Sequence, residues 1–164
     1  MALAKAVATP YLSGMNKALT TIIFIAIALG GGLVIGIGNP PGEWYQSLAK
    51  PPFNPPNWVF APAWTLLYVL IGLAGARTWM RGNLSVGMLI WAGQMVANFL
   101  WSPFFFGLRM PPVALVVILA LLALIIAFIR NRWNADRIAA LLFLPYLAWV
   151  SFATLLNASI VYLN

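Results

Sequence analysis

The sequence predicts an all-α membrane protein, a polytopic bundle of five transmembrane helices. Three observations carry this. Of the 164 residues, 63% are hydrophobic and only 7% charged, whereas a soluble domain carries about 25% charged residues. Five long segments contain no Asp, Glu, Lys or Arg: residues 18–38, 58–76, 84–107, 113–129 and 138–163. A helix crossing a hydrocarbon core needs roughly 20 apolar residues, with about 17 to 25 the usual range, and membrane-barrel strands would instead alternate in polarity over about 10 residues. The spans leave no room for a soluble domain, so the expected organisation is an N-terminal tail, 1–17, and one transmembrane domain, 18–164.

The first span is too long for the apolar core of a secretory signal and runs into Asn39-Pro40-Pro41-Gly42 without a small-residue cleavage site. It is therefore expected to remain as the first helix. The connection to the second holds six of the twelve prolines between Asn39 and Asn57. Proline restricts φ and lowers the entropy lost on ordering, so this long Pro-rich loop is expected to be a lid that orders over a ligand, or else an extended connector. Pro62, Pro103 and Pro145 lie within spans and are expected to break the i→i−4 ladder locally. Gly32-x-x-x-Gly36 and Gly93-x-x-x-Ala97 allow close helix approach, within the bundle or in a homodimer.

The formal charge of +7 would suggest a nucleic-acid partner in a soluble protein. Beside apolar spans it reads as loop charge instead, and no nucleic-acid partner is expected. Lys5, Lys17, Arg77, Arg81, Arg130, Arg132 and Arg137 fall on one side, Lys50 and Arg109 on the other. In a bacterial inner membrane this puts the N-terminus in the cytoplasm and the C-terminus outside.

Chemistry is narrowed by absences. There is no Cys and no His, hence no disulfide, no thiolate nucleophile and no imidazole base or ligand. No metal site is expected. The two carboxylates, Glu43 and Asp136, fall on opposite sides of the bilayer on this topology. They form no catalytic dyad and read as solvated loop charges, with Asp136 also placed to cap a helix. The spans hold no ionisable Asp, Glu, Lys or Arg, which argues against proton- or ion-coupled pumping. They hold aromatics and amides. Trp58, Trp79 and Trp133 sit at span ends, as an interfacial belt predicts. Trp91, Gln94, Asn98 and Trp101 share one helical face by spacing, as do Trp149, Ala153 and Asn157. Such stripes suit interhelical packing with amide hydrogen bonds, and equally a planar ligand in the space that Ala153 leaves beside Trp149.

The chain resembles the TspO/MBR family of translocator and tryptophan-rich sensory proteins. The resemblance rests on Trp44-Tyr45, the stretch Lys50-Pro51-Pro52-Phe53-Asn54-Pro55-Pro56-Asn57-Trp58-Val59-Phe60, and Trp64-Thr65-x-x-Tyr68. It continues with Asn98-x-x-Trp101-x-Pro103-x-Phe105-Phe106-Gly107 and Pro145-Tyr146-Leu147-Ala148-Trp149-x-x-Phe152-Ala153-Thr154-x-x-Asn157. It implies a five-helix bundle, often homodimeric, that binds porphyrins such as protoporphyrin IX, sterols in some members, and benzodiazepine-type ligands. The implied role is tetrapyrrole transport or stress regulation, with porphyrin as ligand and no required cofactor. The alternatives are a light-dependent porphyrin-degrading enzyme, in which Trp149 would be the reactive partner, and a ligand-free membrane scaffold. The resemblance makes Trp44 and Tyr45 lid aromatics, Trp149 the pocket tryptophan and Ala153 the small pocket residue. The expected ligand-binding set is Trp44, Tyr45, Phe53, Trp64, Asn98, Trp101, Trp149, Ala153 and Asn157. Lys50 and Arg109, on the mouth side, are expected to meet ligand carboxylates. Two departures stand out: Phe53 replaces the family's usual tryptophan, and Tyr162 lacks the following basic residue of a sterol-recognition pattern.

Overall fold

The structure, a computed structural model, describes residues 17–164; the expected tail and Lys5 lie outside them. Among the described residues there are helices and no strands. In chain order they are α1 (Lys17–Gly38), α2 (Glu43–Ser47), α3 (Phe60–Arg81), α4 (Val86–Ser102), α5 (Pro111–Arg132), α6 (Arg137–Leu142) and α7 (Leu144–Leu163). A single 3₁₀ turn, Asn57–Val59, leads into α3, and a π-helical segment, Pro103–Gly107, ends α4. Four helices are long and apolar enough to cross a membrane: Lys17–Gly38, Asn57–Arg81, Pro111–Arg132 and the α6–α7 run, Arg137–Leu163.

Lipid tails are as apolar as leucine, so helix association rests on close van der Waals packing and buried hydrogen bonds. Accordingly, large side chains such as Val34, Ile37, Leu89 and Val116 face outward, while small residues sit where helices touch. The main packing pairs are α1 with α3, α4 with α5, and α5 with α7, and α6 bridges α3 and α5. On α1 the buried residues Thr20, Phe24 and Ala28 repeat every four positions, which sets the face that meets α3. The closest approach comes at Gly72, where an added Cβ would lie 2.5 Å from the Cα of Ile25. Gly72→Ala must therefore push the α1 and α3 backbones apart. We expect it to lower stability by about 1–3 kcal/mol, whereas Gly30→Ala, with nothing within 4 Å, is expected to be neutral or stabilising by up to about 1 kcal/mol. Thermal denaturation in detergent compares the two. The glycine pairs noted in the sequence each have one member packed within the bundle: an added Cβ at Gly32 would strike the Tyr68 ring at 2.1 Å, while Gly36 has nothing within 4 Å, and Ala97 is buried.

The three in-span prolines behave differently from one another. Pro62 does not interrupt its helix as expected, because it falls in the first turn of α3, where an N–H would lack an intrahelical partner anyway. Pro103 opens the π-helical segment, in which the Leu108 N–H donates to the Pro103 carbonyl at 2.8 Å. Pro145 has no N–H to continue the ladder, and the helix steps at Phe143 into separate α6 and α7. There the ring of Phe143, fully buried, stacks on Phe128 at 4.0 Å.

Two loop expectations are corrected. The connection after α1 is not extended throughout, since residues 43–47 form α2 and bury Tyr45. Asp136 is not a solvated charge. It is 3% exposed, capping α6 by accepting the Ala139 N–H at 3.3 Å. Its carboxylate also accepts from Arg77 at 2.9 and 3.1 Å and pairs with Arg81 at 2.9 Å. Burial alone would raise its pKa. The hydrogen bonds from Arg77 and the Ala139 N–H, with the charges of Arg77 and Arg81, outweigh burial and hold it below the ordinary carboxylate value. This cluster ties the C-terminal end of α3 to the start of α6.

Candidate functional site

At the other end of the bundle, α1, α3, α4, α5 and α7 surround a cavity of about 450 Å³, within the range of about 300–1,000 Å³ typical of small-molecule sites. Its walls are mostly apolar, with aromatic rings from α2, α3, α4 and α7. Trp64 and Tyr68 lie one turn apart on α3 and stack at 5.4 Å. Trp149 on α7 meets Phe60 edge-on at 5.8 Å, and Ala153, one turn further on, leaves its side of the wall low. On α1, Gly32 and Gly36 line the cavity together with Leu29, Leu33, Ile35 and Ile37. The π-helical segment brings in Phe105 and Phe106, which pack against Tyr45 of α2 at 6.1 and 5.3 Å. That contact borders the cavity at its loop end.

Seven of the nine expected site residues line this one cavity: Tyr45, Trp64, Asn98, Trp101, Trp149, Ala153 and Asn157. The two remaining are elsewhere. Trp44 packs edge-on against the outer side of Phe105 at 6.0 Å, behind the lining. Phe53 is 46% exposed and lies beside Phe152 at 6.4 Å. Both belong to the loop that leads away from the cavity towards α7, where Asn164 holds it by exchanging hydrogen bonds with Ala49 at 3.0 and 3.1 Å.

The amides divide into two kinds. Asn157 is committed to helix packing: it accepts from Trp101 Nε1 at 3.0 Å and donates to the Pro111 carbonyl at 3.0 Å, joining α4, α5 and α7. Asn98 accepts from the Tyr68 hydroxyl at 2.9 Å and donates to the Tyr146 hydroxyl at 2.7 Å. Beneath it, Tyr146 donates to Gln94 Oε1 at 3.0 Å. Tyr68 and Tyr146 were absent from the expected set although both occur in the motifs quoted above. The i→i+4 spacing of Trp64 and Tyr68 was the signal available for Tyr68. Tyr146 is reached only through a contact across the bundle.

The two mouth-side cations also part company. Lys50 donates to the carbonyls of Gln46 and Leu48, both at 3.1 Å, and lies 4.7 Å over the Tyr45 ring. It thereby closes the C-terminal end of α2. Arg109, in the tight turn after the π-helical segment with φ of 55°, is exposed.

The arrangement offers flat aromatic faces and a few buried hydrogen-bonding groups, and the described lining residues include no thiol, imidazole or carboxylate. Comparison with known proteins agrees with the resemblance carried by the motifs. The TspO/MBR family model matches residues 21–163. The chain is 37% identical over 160 residues to the tryptophan-rich protein TspO of Chlorobaculum tepidum, covering 92% of this chain and 99% of that protein. Against the protein of the same name from Archaeoglobus fulgidus it is 46% identical over 148 residues, covering 89% and 96%. Against the translocator protein of Bos taurus it is 40% identical over 138 residues, covering 79% and 80%. With the helices, the loop and the cavity motifs all inside the matched region, the chain belongs to the TspO/MBR family.

Proposed function

We propose that this protein binds planar, largely apolar tetrapyrroles of the protoporphyrin IX type in the aromatic cavity, acting in their transport or in stress regulation. The supporting observation is the joining of Trp64, Trp149 and low-walled Ala153 around one ligand-sized cavity. A macrocycle offers a wide apolar face to those indoles, while its carboxylates stay at the wet mouth, where Arg109 is free to reach them. Lys50 is already engaged by two carbonyls and is the weaker partner.

In this reading the bundle has five spans, the fifth being α4 with its π-helical extension, residues 86–107. In a bacterial inner membrane, Lys17, Arg77, Arg81, Arg130, Arg132 and Arg137 would mark the cytoplasmic end, with the cavity towards the opposite face. Benzodiazepine-type ligands fit the same aromatic lining.

Titration of the purified protein with protoporphyrin IX is expected to quench tryptophan fluorescence saturably. Trp149→Ala removes one stacking face and is expected to weaken binding about two- to tenfold, a stacked aromatic pair being worth about 0.5–1.5 kcal/mol beyond its buried area. An unsaturable signal, or identical affinities in the two proteins, would place the porphyrin elsewhere.

A further inference from the structure

Resting on the reading of the cavity as a ligand site, we propose that Gln94, which does not line the cavity, dictates that it takes ligands whose buried end carries an O–H or N–H donor. The link is a chain of three hydrogen bonds with one direction. Tyr68 donates to Asn98 Oδ1 at 2.9 Å, Asn98 Nδ2 donates to Tyr146 at 2.7 Å, and Tyr146 donates to Gln94 Oε1 at 3.0 Å. Gln94 and Tyr146 are fully buried and Asn98 is 5% exposed. Tyr68 is partly buried and lines the cavity. Asn98 also borders the cavity, but Tyr68 is the more exposed of the two and is the group a ligand meets first.

A phenol has one hydrogen, and this makes the direction transmissible. Because Tyr146 gives its hydrogen to the Gln94 carbonyl, its oxygen is left to accept. The nitrogen of Asn98 must then face Tyr146, which turns the Asn98 oxygen to Tyr68. Tyr68 spends its own hydrogen on that oxygen, and only lone pairs remain on its hydroxyl for the cavity. The Tyr68 ring is held by Trp64 stacked at 5.4 Å and by Gly32, whose added Cβ would fall 2.1 Å from it, so the hydroxyl keeps its aim. The chain ends at Gln94, whose Nε2 has no partner among the described residues.

Removing the terminal acceptor reverses the logic. In Gln94→Leu, close in volume, Tyr146 has no carbonyl to serve and turns its hydrogen to Asn98. The Asn98 amide then turns over, its nitrogen donates to Tyr68, and the Tyr68 hydrogen is released into the cavity. A cavity that preferred donors now prefers acceptors.

The test uses 2-naphthol, a donor, and 2-methoxynaphthalene, an acceptor only, with the protein in lipid nanodiscs and empty nanodiscs as reference. The readout is the ratio of the two affinities, set against the ratio in Tyr68→Phe, which has no hydroxyl. The wild type is expected to favour naphthol about three- to tenfold over that baseline, the selectivity of one hydrogen bond. Gln94→Leu is expected to bring the ratio to the baseline or below it, and Tyr146→Phe, which cuts the chain in the middle, to lower it towards the baseline. A purely structural role for Gln94 would weaken both probes alike and leave the ratio in place. A wild-type ratio equal to that of Tyr68→Phe overturns the inference, whether or not the Gln94 and Tyr146 variants fold, as does a ratio that Gln94→Leu leaves unchanged. Protoporphyrin binding without naphthalene selectivity overturns this inference alone. Failure of porphyrin and both naphthalenes to bind overturns the ligand-site reading with it.

Discussion

Asp136→Asn is expected to lower stability by about 2 kcal/mol, because it breaks a buried ion pair. Breaking a buried ion pair typically costs about 3–5 kcal/mol. The figure is reduced here because the Arg77 and Arg81 side chains are 34% and 53% exposed, so water screens both cations. Asparagine keeps a side-chain oxygen for the Ala139 N–H, so this variant isolates the ion pair from the helix cap. Asp136→Ala removes both and should lose about 1 kcal/mol more. Arg81→Gln, losing only the more exposed partner, should cost less than about 1 kcal/mol. The pH dependence has a definite sign. Since the folded-state pKa of Asp136 is depressed, its contribution is fully present above the unfolded value of about 3.9. It is lost as pH falls through the lower folded value. Melting curves of wild type and Asp136→Asn should therefore differ at neutral pH and converge in acid below about pH 4. Curves that stay parallel across that range would mean that the carboxylate charge does not hold α3 to α6.

Much of this architecture is legible in the sequence, for reasons particular residues make plain. A run without charge is a strong signal because a charged group in hydrocarbon is costly, and the helices fall on those runs within a few residues. The amide and tryptophan stripes are read correctly as inward-facing, since a buried amide in lipid needs a partner. What spacing does not tell is the partner. Asn157 and Asn98 look alike in the sequence, yet one bridges helices while the other stands in the chain that reaches Tyr68. Asp136 looks like a loop charge because the residues that bury it, Arg77 and Arg81, come from an element more than fifty positions earlier. The resemblance treats Trp44 and Tyr45 alike, as lid aromatics. The short helix α2 turns one aromatic of the Trp44-Tyr45 pair towards the cavity and the other away, a division that adjacent residues on any helix impose.

Ala153→Phe is expected to weaken protoporphyrin IX binding by about thirtyfold or more while leaving the fold intact. Ala153 lies on α7 between Trp149 and Asn157, with one helical turn to each, and its small side chain borders the open part of the cavity. A benzyl group there projects into the space that the macrocycle needs. Overfilling a packed site costs about 1–3 kcal/mol, and 2 kcal/mol is close to thirtyfold in affinity. Because the added ring enters open volume, the free protein has little to rearrange and its thermal midpoint should stay near that of wild type. The same substitution at Ala148, which is exposed on the outer face of α7, supplies the control: it adds the same ring to the same helix and should leave affinity unchanged. Ala153→Ser, which adds a single atom, should fall between the two. Tryptophan quenching with protoporphyrin IX measures all three. Equal affinities for Ala153→Phe and Ala148→Phe would mean that the ligand does not pass Trp149 on the inner face of α7. A loss in Ala153→Phe alone would put the macrocycle against that face, in the volume that Trp64 and Tyr68 bound from α3.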